Sequence, residues 1–320
     1  MTAHQSPSFY ARSVSDPVDA PDGVAALLSQ AFPPTLGQRR YMLLDGGTLP
    51  NLPERLAALG IEGRSIYDDS AGPDLLDLSP RLVPLPADAS DGAAARAPSR
   101  IMGDWCRPSG DGSDPFALLD RRPGVLILSP LAPEELRNRL RRLVLLPDEG
   151  GVRVWLRFQE PGVLDALLRA CRPAAQAGIL AGMSRIIWSE PALEDDLWRL
   201  RAIDAAPVGE DAPRACLPIL DAPVRQALSH AVHRHRARAV ARAEGGTLDD
   251  RLSVAATVVR LLDLGHGGPN WLLVHFHRLL MMAAADWQTW WWSRAESGDE
   301  SLAVLNRAMH DRHGTGEFAP

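Results

Sequence analysis

Apolar positions along the chain fall into short blocks with two different rhythms. Tyr41-Met42-Leu43-Leu44 is a compact apolar run closed by Asp45-Gly46-Gly47, which predicts a buried strand ending in a turn. Asn51 to Leu59 reads as a helix capped by Asn51, with Leu56 and Leu59 on one face. Leu82-Val83-Pro84-Leu85 predicts a strand whose proline places it at a sheet edge or a strand end. Gly124 to Leu128 predicts another strand. A helix follows, opened by Glu134 and Glu135, with Leu136, Leu140 and Leu143 on one face. Asp148-Glu149-Gly150-Gly151 is a turn. Val152 to Phe158 alternates with period two, placing Val152, Val154, Leu156 and Phe158 on one side and Arg153, Trp155 and Arg157 on the other. A helix from Val163 to Cys171 and a strand from Arg185 to Trp188 complete this part.

Strands alternating with helices over short connections predict an α/β N-terminal lobe, one sheet flanked by helices. Beyond it the period is helical throughout, so an all-helical C-terminal lobe is expected. Asp221 caps a helix with Pro223 in its first turn and a stripe of Val224, Leu228, Ala231 and Val232. Thr247 and Asp250 resemble a capping box before Leu252 to Leu264, and Gly265 to Pro269 ends that helix. The predicted organisation is a flexible arm at 1–36, the α/β domain at 37–195 with a long loop at 86–115, a linker at 196–218, helices at 219–308 and a flexible tail at 309–320.

The 320 residues carry a net charge of −6, with 46% hydrophobic and 23% charged residues. The chain is therefore globular rather than disordered, and its acidity argues against a nucleic-acid partner held through phosphates. All 34 basic residues are arginine. With no lysine there is no Schiff base, pyridoxal anchor or P-loop lysine. Cys106, Cys171 and Cys216 are widely spaced and form neither a disulfide framework nor a zinc motif, which suits a reducing cytoplasm. The N-terminal stretch has no basic start followed by an apolar run, so no secretory signal is expected.

Trp271 to Trp292 has the length of a membrane span but holds His275, His277, Arg278 and Asp286, which favours a buried helix over membrane insertion. Within it Trp287, Trp290 and Trp291 share a helical face, either core or an exposed partner-binding patch. His230 and His233 are three apart, about 300° around a helix, and could be neighbours, while His235 points elsewhere. They are the only residues from which a metal- or histidine-dependent hydrolase could be argued, and no HExxH motif supports it. No catalytic residue, metal ligand or cofactor is predicted. Arg137, Arg139, Arg141, Arg142, Arg153 and Arg157 make a locally basic region, either a solvated face or a docking surface for a carboxylate-bearing partner.

Four segments together resemble a known family. They are Leu43-Leu44-Asp45-Gly46, then Pro80 to Leu85 (PRLVPL), then Leu126 to Ser129 followed by Glu135-Leu136-Arg137-Asn138-Arg139-Leu140-Arg141-Arg142, and finally Arg157-Phe158-Gln159-Glu160-Pro161-Gly162-Val163-Leu164. Their order and spacing over about residues 39–192 resemble the N-terminal domain of type VI secretion adaptors. These chaperones load effectors onto the spike-tip protein of a contractile injection machine. Arg139, Glu160 and Gly162 depart from the family's histidine, aspartate and arginine. The resemblance implies a non-catalytic, cytoplasmic adaptor whose partners are a secreted effector and the spike-tip protein. The expected partner-binding rim is Asp45, Arg139, Arg141, Arg157, Phe158 and Glu160. The rival expectations are the hydrolase and a membrane-associated factor using the Trp-rich helix.

Overall fold

The computed structural model describes residues 12–13, 37–49, 51–67, 72–85, 124–191, 198–205, 216–282, 285–297, 301 and 303–307. The predicted loop at 86–115 and tail at 309–320 lie outside the described residues, as does the arm apart from Arg12 and Ser13. The chain forms two compact units, one of residues 1–192 and 196–228 and one of residues 193–195 and 229–320.

The first unit follows the predicted class: a sheet with flanking helices. Its strands are β1 (Arg12–Ser13), β2 (Arg39–Leu44), β3 (Arg64–Ser65), β4 (Arg81–Leu85), β5 (Gly124–Ser129), β6 (Leu145–Pro147), β7 (Arg153–Trp155), β8 (Arg185–Pro191) and β9 (Trp198–Asp204). Seven of them make one sheet in the order β1-β9-β8-β5-β2-β4-β3, antiparallel at every pairing. β6 and β7 make a separate two-stranded ribbon. The continuous apolar runs predicted as buried strands are just that: β5 is buried at all six positions, and Tyr41 to Leu44 are fully enclosed. β9 occupies the start of the stretch expected to be a linker. It pairs with β8 over seven residues, from Arg185↔Asp204 to Pro191↔Trp198. Pro84 sits near the end of β4, past the two residues where β3 pairs, in keeping with its missing N–H.

The helices of this unit are α1 (Leu52–Ala58), α2 (Pro73–Asp77), α3 (Pro133–Val144), α4 (Pro161–Ala170) and α5 (Pro173–Leu180). Leu136, Leu140 and Leu143 of α3 join Tyr41, Leu43, Val125 and Ile127 in one core, as their spacing requires. Glu135 accepts the Ala132 N–H at 3.0 Å, and Pro133 starts the helix where no donor is needed. Asn51 was expected to cap α1, but it lies at φ 55° and its side chain makes no capping bond. α5 buries one face, Ala175, Gln176, Ile179 and Leu180, but that face carries a glutamine and the other carries alanine and glycine, so its apolar period is silent.

The second unit is helical: the C-terminal part of α6 (Ala222–Glu244), then α7 (Leu248–Asp263), α8 (Asn270–Met282) and α9 (Ala285–Ser297). The capping box is formed, with Thr247 Oγ1 accepting from Asp250 N at 3.3 Å and Asp250 accepting from Thr247 N at 2.9 Å. The Thr247 hydroxyl also donates to Asp250 Oδ2 at 2.7 Å, and this bond, followed by that from the Thr247 N–H, holds the Asp250 carboxyl below its ordinary range. Asp221 accepts the Val224 N–H at 3.0 Å, as expected, while Val232 of the predicted stripe is 53% exposed. The Trp-rich segment is two helices, and among the described residues no helix is long and apolar enough to cross a membrane. Trp291 is core at 1% exposure, whereas its neighbour Trp290 is 37% exposed.

Candidate functional site

The end of β2 delivers Asp45 to the base of a polar network that reaches the surface through Arg157. Asp45 itself is 1% exposed. Its Oδ1 accepts from Gly47 N and from Gln159 Nε2, each at 3.1 Å. Its Oδ2 accepts from Thr48 Oγ1 at 2.8 Å and from the Arg157 guanidinium. Four donors on one carboxylate make a charge that burial alone would penalise into a fixed anchor. Gly46 is required beside it: a Cβ there would lie 2.7 Å from the carbonyl oxygens of Asp77 and Ser79.

Arg157 emerges from this anchor with over half of its side chain exposed. Next to it the ribbon carries an apolar surface, with Val152, Val154 and Trp155 all exposed and Trp155 at 54%. Asp148 Oδ1 shapes the turn by accepting from the N–H groups of Gly150 and Val152, each at 2.9 Å. Trp155 meets Tyr67 edge to face, ring centroids 5.1 Å apart. Tyr67 is tied down from two sides. Its N–H donates to Ser65 Oγ at 3.1 Å and Ser79 Oγ at 3.2 Å. Its carbonyl accepts from Arg137 at 3.3 Å. Burial, and secondarily the Asp45 charge, push the Tyr67 phenol above its ordinary value, while Arg157 pulls it down. The Asp45, Arg157, Tyr67 and Trp155 side chains therefore share one neighbourhood.

The predicted rim is partly assembled here and partly dispersed. Asp45 and Arg157 meet. Phe158 does not reach the surface: at 2% exposure it belongs to the main core, because Leu156 and Phe158 follow the buried side of the chain after β7 ends. Asp45, also enclosed, is bonded to the exposed side chain of Arg157. Glu160 caps α4, accepting from Gly162 N at 3.1 Å and Val163 N at 2.9 Å. Arg139 lies on another flank of α3, about 200° around from Arg137, where its side chain packs close to Gly182. Arg141, half-buried, stands one turn beyond Arg137 on the Tyr67 side. The predicted alternation of Val152 to Phe158 is also corrected: Val152 and Val154 are exposed, and only Leu156 and Phe158 turn inward.

Arg137 belongs to the predicted basic region, whereas the sequence assigns no role to Tyr67 or Gln159. Tyr67 lies in no patterned segment and Gln159 lies inside the Arg157–Leu164 motif, and only the folded chain brings them to Asp45 and Trp155. The period-two alternation from Val152 to Phe158 was the available signal for the ribbon.

The other candidate cluster is in the helical unit. His230 Nδ1 and His233 Nδ1 both lie against Asp263, at 2.9 and 2.7 Å. The two imidazoles are indeed neighbours. Among the described residues, however, no group of three His, Cys, Asp or Glu side chains is arranged to hold a metal ion. His277 is used structurally, bonded to Thr257 Oγ1 at 2.9 Å with its pKa lowered by burial and then by Arg278.

Residues 40–178 match a family model described as Domain of unknown function (DUF4123). The matched stretch runs from β2 to α5 and contains the whole Asp45–Arg157–Tyr67–Trp155 neighbourhood. No curated protein and no solved structure matches the chain.

Proposed function

We propose that this protein is a non-catalytic adaptor that binds a type VI secretion effector in the cytoplasm and loads it onto the spike-tip protein. The observation that carries the reading is the ribbon: Val152, Val154 and Trp155 are exposed beside an arginine anchored by a buried carboxylate. A folded domain leaves such a surface in water when another chain is to cover it. Tryptophan and arginine are the residue types that dominate binding energy at protein interfaces. The anchor fixes the guanidinium before binding, so little ordering entropy is lost on contact. The matched family segment coincides with the motifs that resemble the adaptors, which agrees with this reading.

Mechanistically, the adaptor shields an apolar cargo segment and presents it for handover. A complex of this kind buries roughly 1,200–2,000 Å², and moderate affinity lets mass action favour the spike complex. The test is co-purification with an effector encoded beside the gene. A stable complex that Arg157→Glu or Arg141→Glu weakens without unfolding supports the reading. Absence of a complex between well-folded partners overturns it. The hydrolase reading rests on His230 and His233 and requires stoichiometric zinc or iron in the purified protein, which elemental analysis decides.

A further inference from the structure

The backbone of the ribbon carries an inference about the chemistry of the bound segment, and it rests on the adaptor reading. The register of β6 and β7 pairs Leu145 with Trp155, Leu146 with Val154 and Pro147 with Arg153. At the two ends of this ladder, Leu156 N donates to Val144 O and Asp148 N donates to Val152 O, both at 2.8 Å. In an antiparallel ladder only alternate residues exchange bonds with the partner strand. Val152, Val154 and Leu156 therefore face β6 with their N–H and C=O groups. Those of Arg153 and Trp155 point away from it. Among the described residues no hydrogen bond is made by either outward pair. On its other side, β6 is occupied: Pro147 O accepts from Leu220 N at 2.9 Å.

The side chains divide just as regularly. Arg153 and Trp155 project from one face of β7, with Arg157 beyond them; Val152 and Val154 project from the other. One face is cationic and aromatic, and the other is β-branched and apolar. We infer that the outer edge of β7 is a strand-addition site for an extended segment of a partner polypeptide that alternates acidic and apolar residues. Backbone bonds to Arg153 and Trp155 supply the pairing. Carboxylates on one face of the added strand meet Arg153 and Arg157, and apolar side chains on the other cover Val152 and Val154. Such a strand converts the exposed two-stranded ribbon into a three-stranded sheet.

The test uses the full chain and an acetylated octapeptide alternating valine and glutamate. Binding should slow amide exchange at Arg153 and Trp155 at least tenfold and leave Val154 at its existing protection. A peptide N-methylated at alternate residues should bind at least tenfold more weakly, as should the valine–lysine analogue. Trp155→Pro removes an outward N–H without touching the β6 ladder and should abolish binding. Should that variant misfold, the N-methylated peptide decides. Equal binding of the N-methylated peptide, no binding of the valine–glutamate peptide, or binding without protection of the Arg153 and Trp155 amides overturns strand addition. An effector that co-purifies despite such a result leaves the adaptor reading intact. Peptide binding with no effector complex overturns the adaptor reading alone.

Discussion

Two carboxylates, Asp45 and Asp263, each gather cationic or imidazole partners, yet they do different work. Asp45 is sealed at 1% exposure and accepts from four donors supplied by two chain segments more than a hundred residues apart. Asp263 is more than a third exposed and joins two imidazoles on α6, one of them equally exposed. Desolvation makes the difference. A buried carboxylate cannot lose a donor without leaving unmet hydrogen-bonding groups, so the first network is a rigid scaffold. Water can replace any partner of the second, so it tolerates change. A rigid scaffold under an exposed arginine suits recognition. A solvated histidine pair does not require any function.

Substitution at the first carboxylate gives the largest expected effect. Asp45→Ala should cost about 3 kcal/mol, because Gln159 loses its acceptor in a buried site and Gly47, Thr48 and Arg157 lose theirs at its edge. The shift in urea midpoint at constant m-value measures it. If Asp45→Ala is as mild as Asp263→Asn, the contrast between the two sites disappears. Trp155→Ala separates recognition from stability. Partner binding should weaken by about 2 kcal/mol, close to 30-fold, in calorimetry. Folding should lose at most the edge contact to Tyr67, about 1 kcal/mol.

Glu160→Ala removes the cap of α4 and should cost about 1 kcal/mol of stability with no loss of partner affinity. Equal losses in both would return Glu160 to the binding rim. The helical unit should respond to acid through His277. Burial holds its folded pKa below the ordinary histidine value, so the unfolded chain takes up its proton first. Stability is therefore fully present above about pH 6.5 and falls as the pH drops toward the folded pKa. His277→Asn should flatten that slope in urea titrations between neutral and mildly acidic pH. The smallest effect belongs to Asp263→Asn, at under about 1 kcal/mol by thermal denaturation. A larger one would show that the histidine pair is structural after all.

Much of the local structure was legible because it depends on neighbours in sequence. The enclosed runs at Tyr41–Leu44 and Gly124–Leu128, the leucine face of α3 and the Thr247–Asp250 cap are short-range patterns with one physical solution each. β9 carries a short period-two signal, Trp198, Leu200 and Ala202 alternating with Arg199 and Arg201, but it runs straight into a Pro- and Asp-rich segment, and only pairing with β8 separates the two. Val152 and Val154 misled in the opposite direction. Period-two alternation states that a face exists, and nothing local states whether that face is covered.

By itself the sequence determined an α/β part followed by a helical part, the Asp221 and Thr247–Asp250 caps and most central strands, and it placed Asp45 and Arg157 in the candidate rim. Only the tertiary structure decided that Asp45 is enclosed, that Phe158 is core, that Tyr67 and Trp155 join Arg157, and that among the described residues no strand pairs with the outer edge of β7. The reason is range: propensity and capping act over a few residues, whereas burial and strand pairing depend on groups brought together from distant parts of the chain.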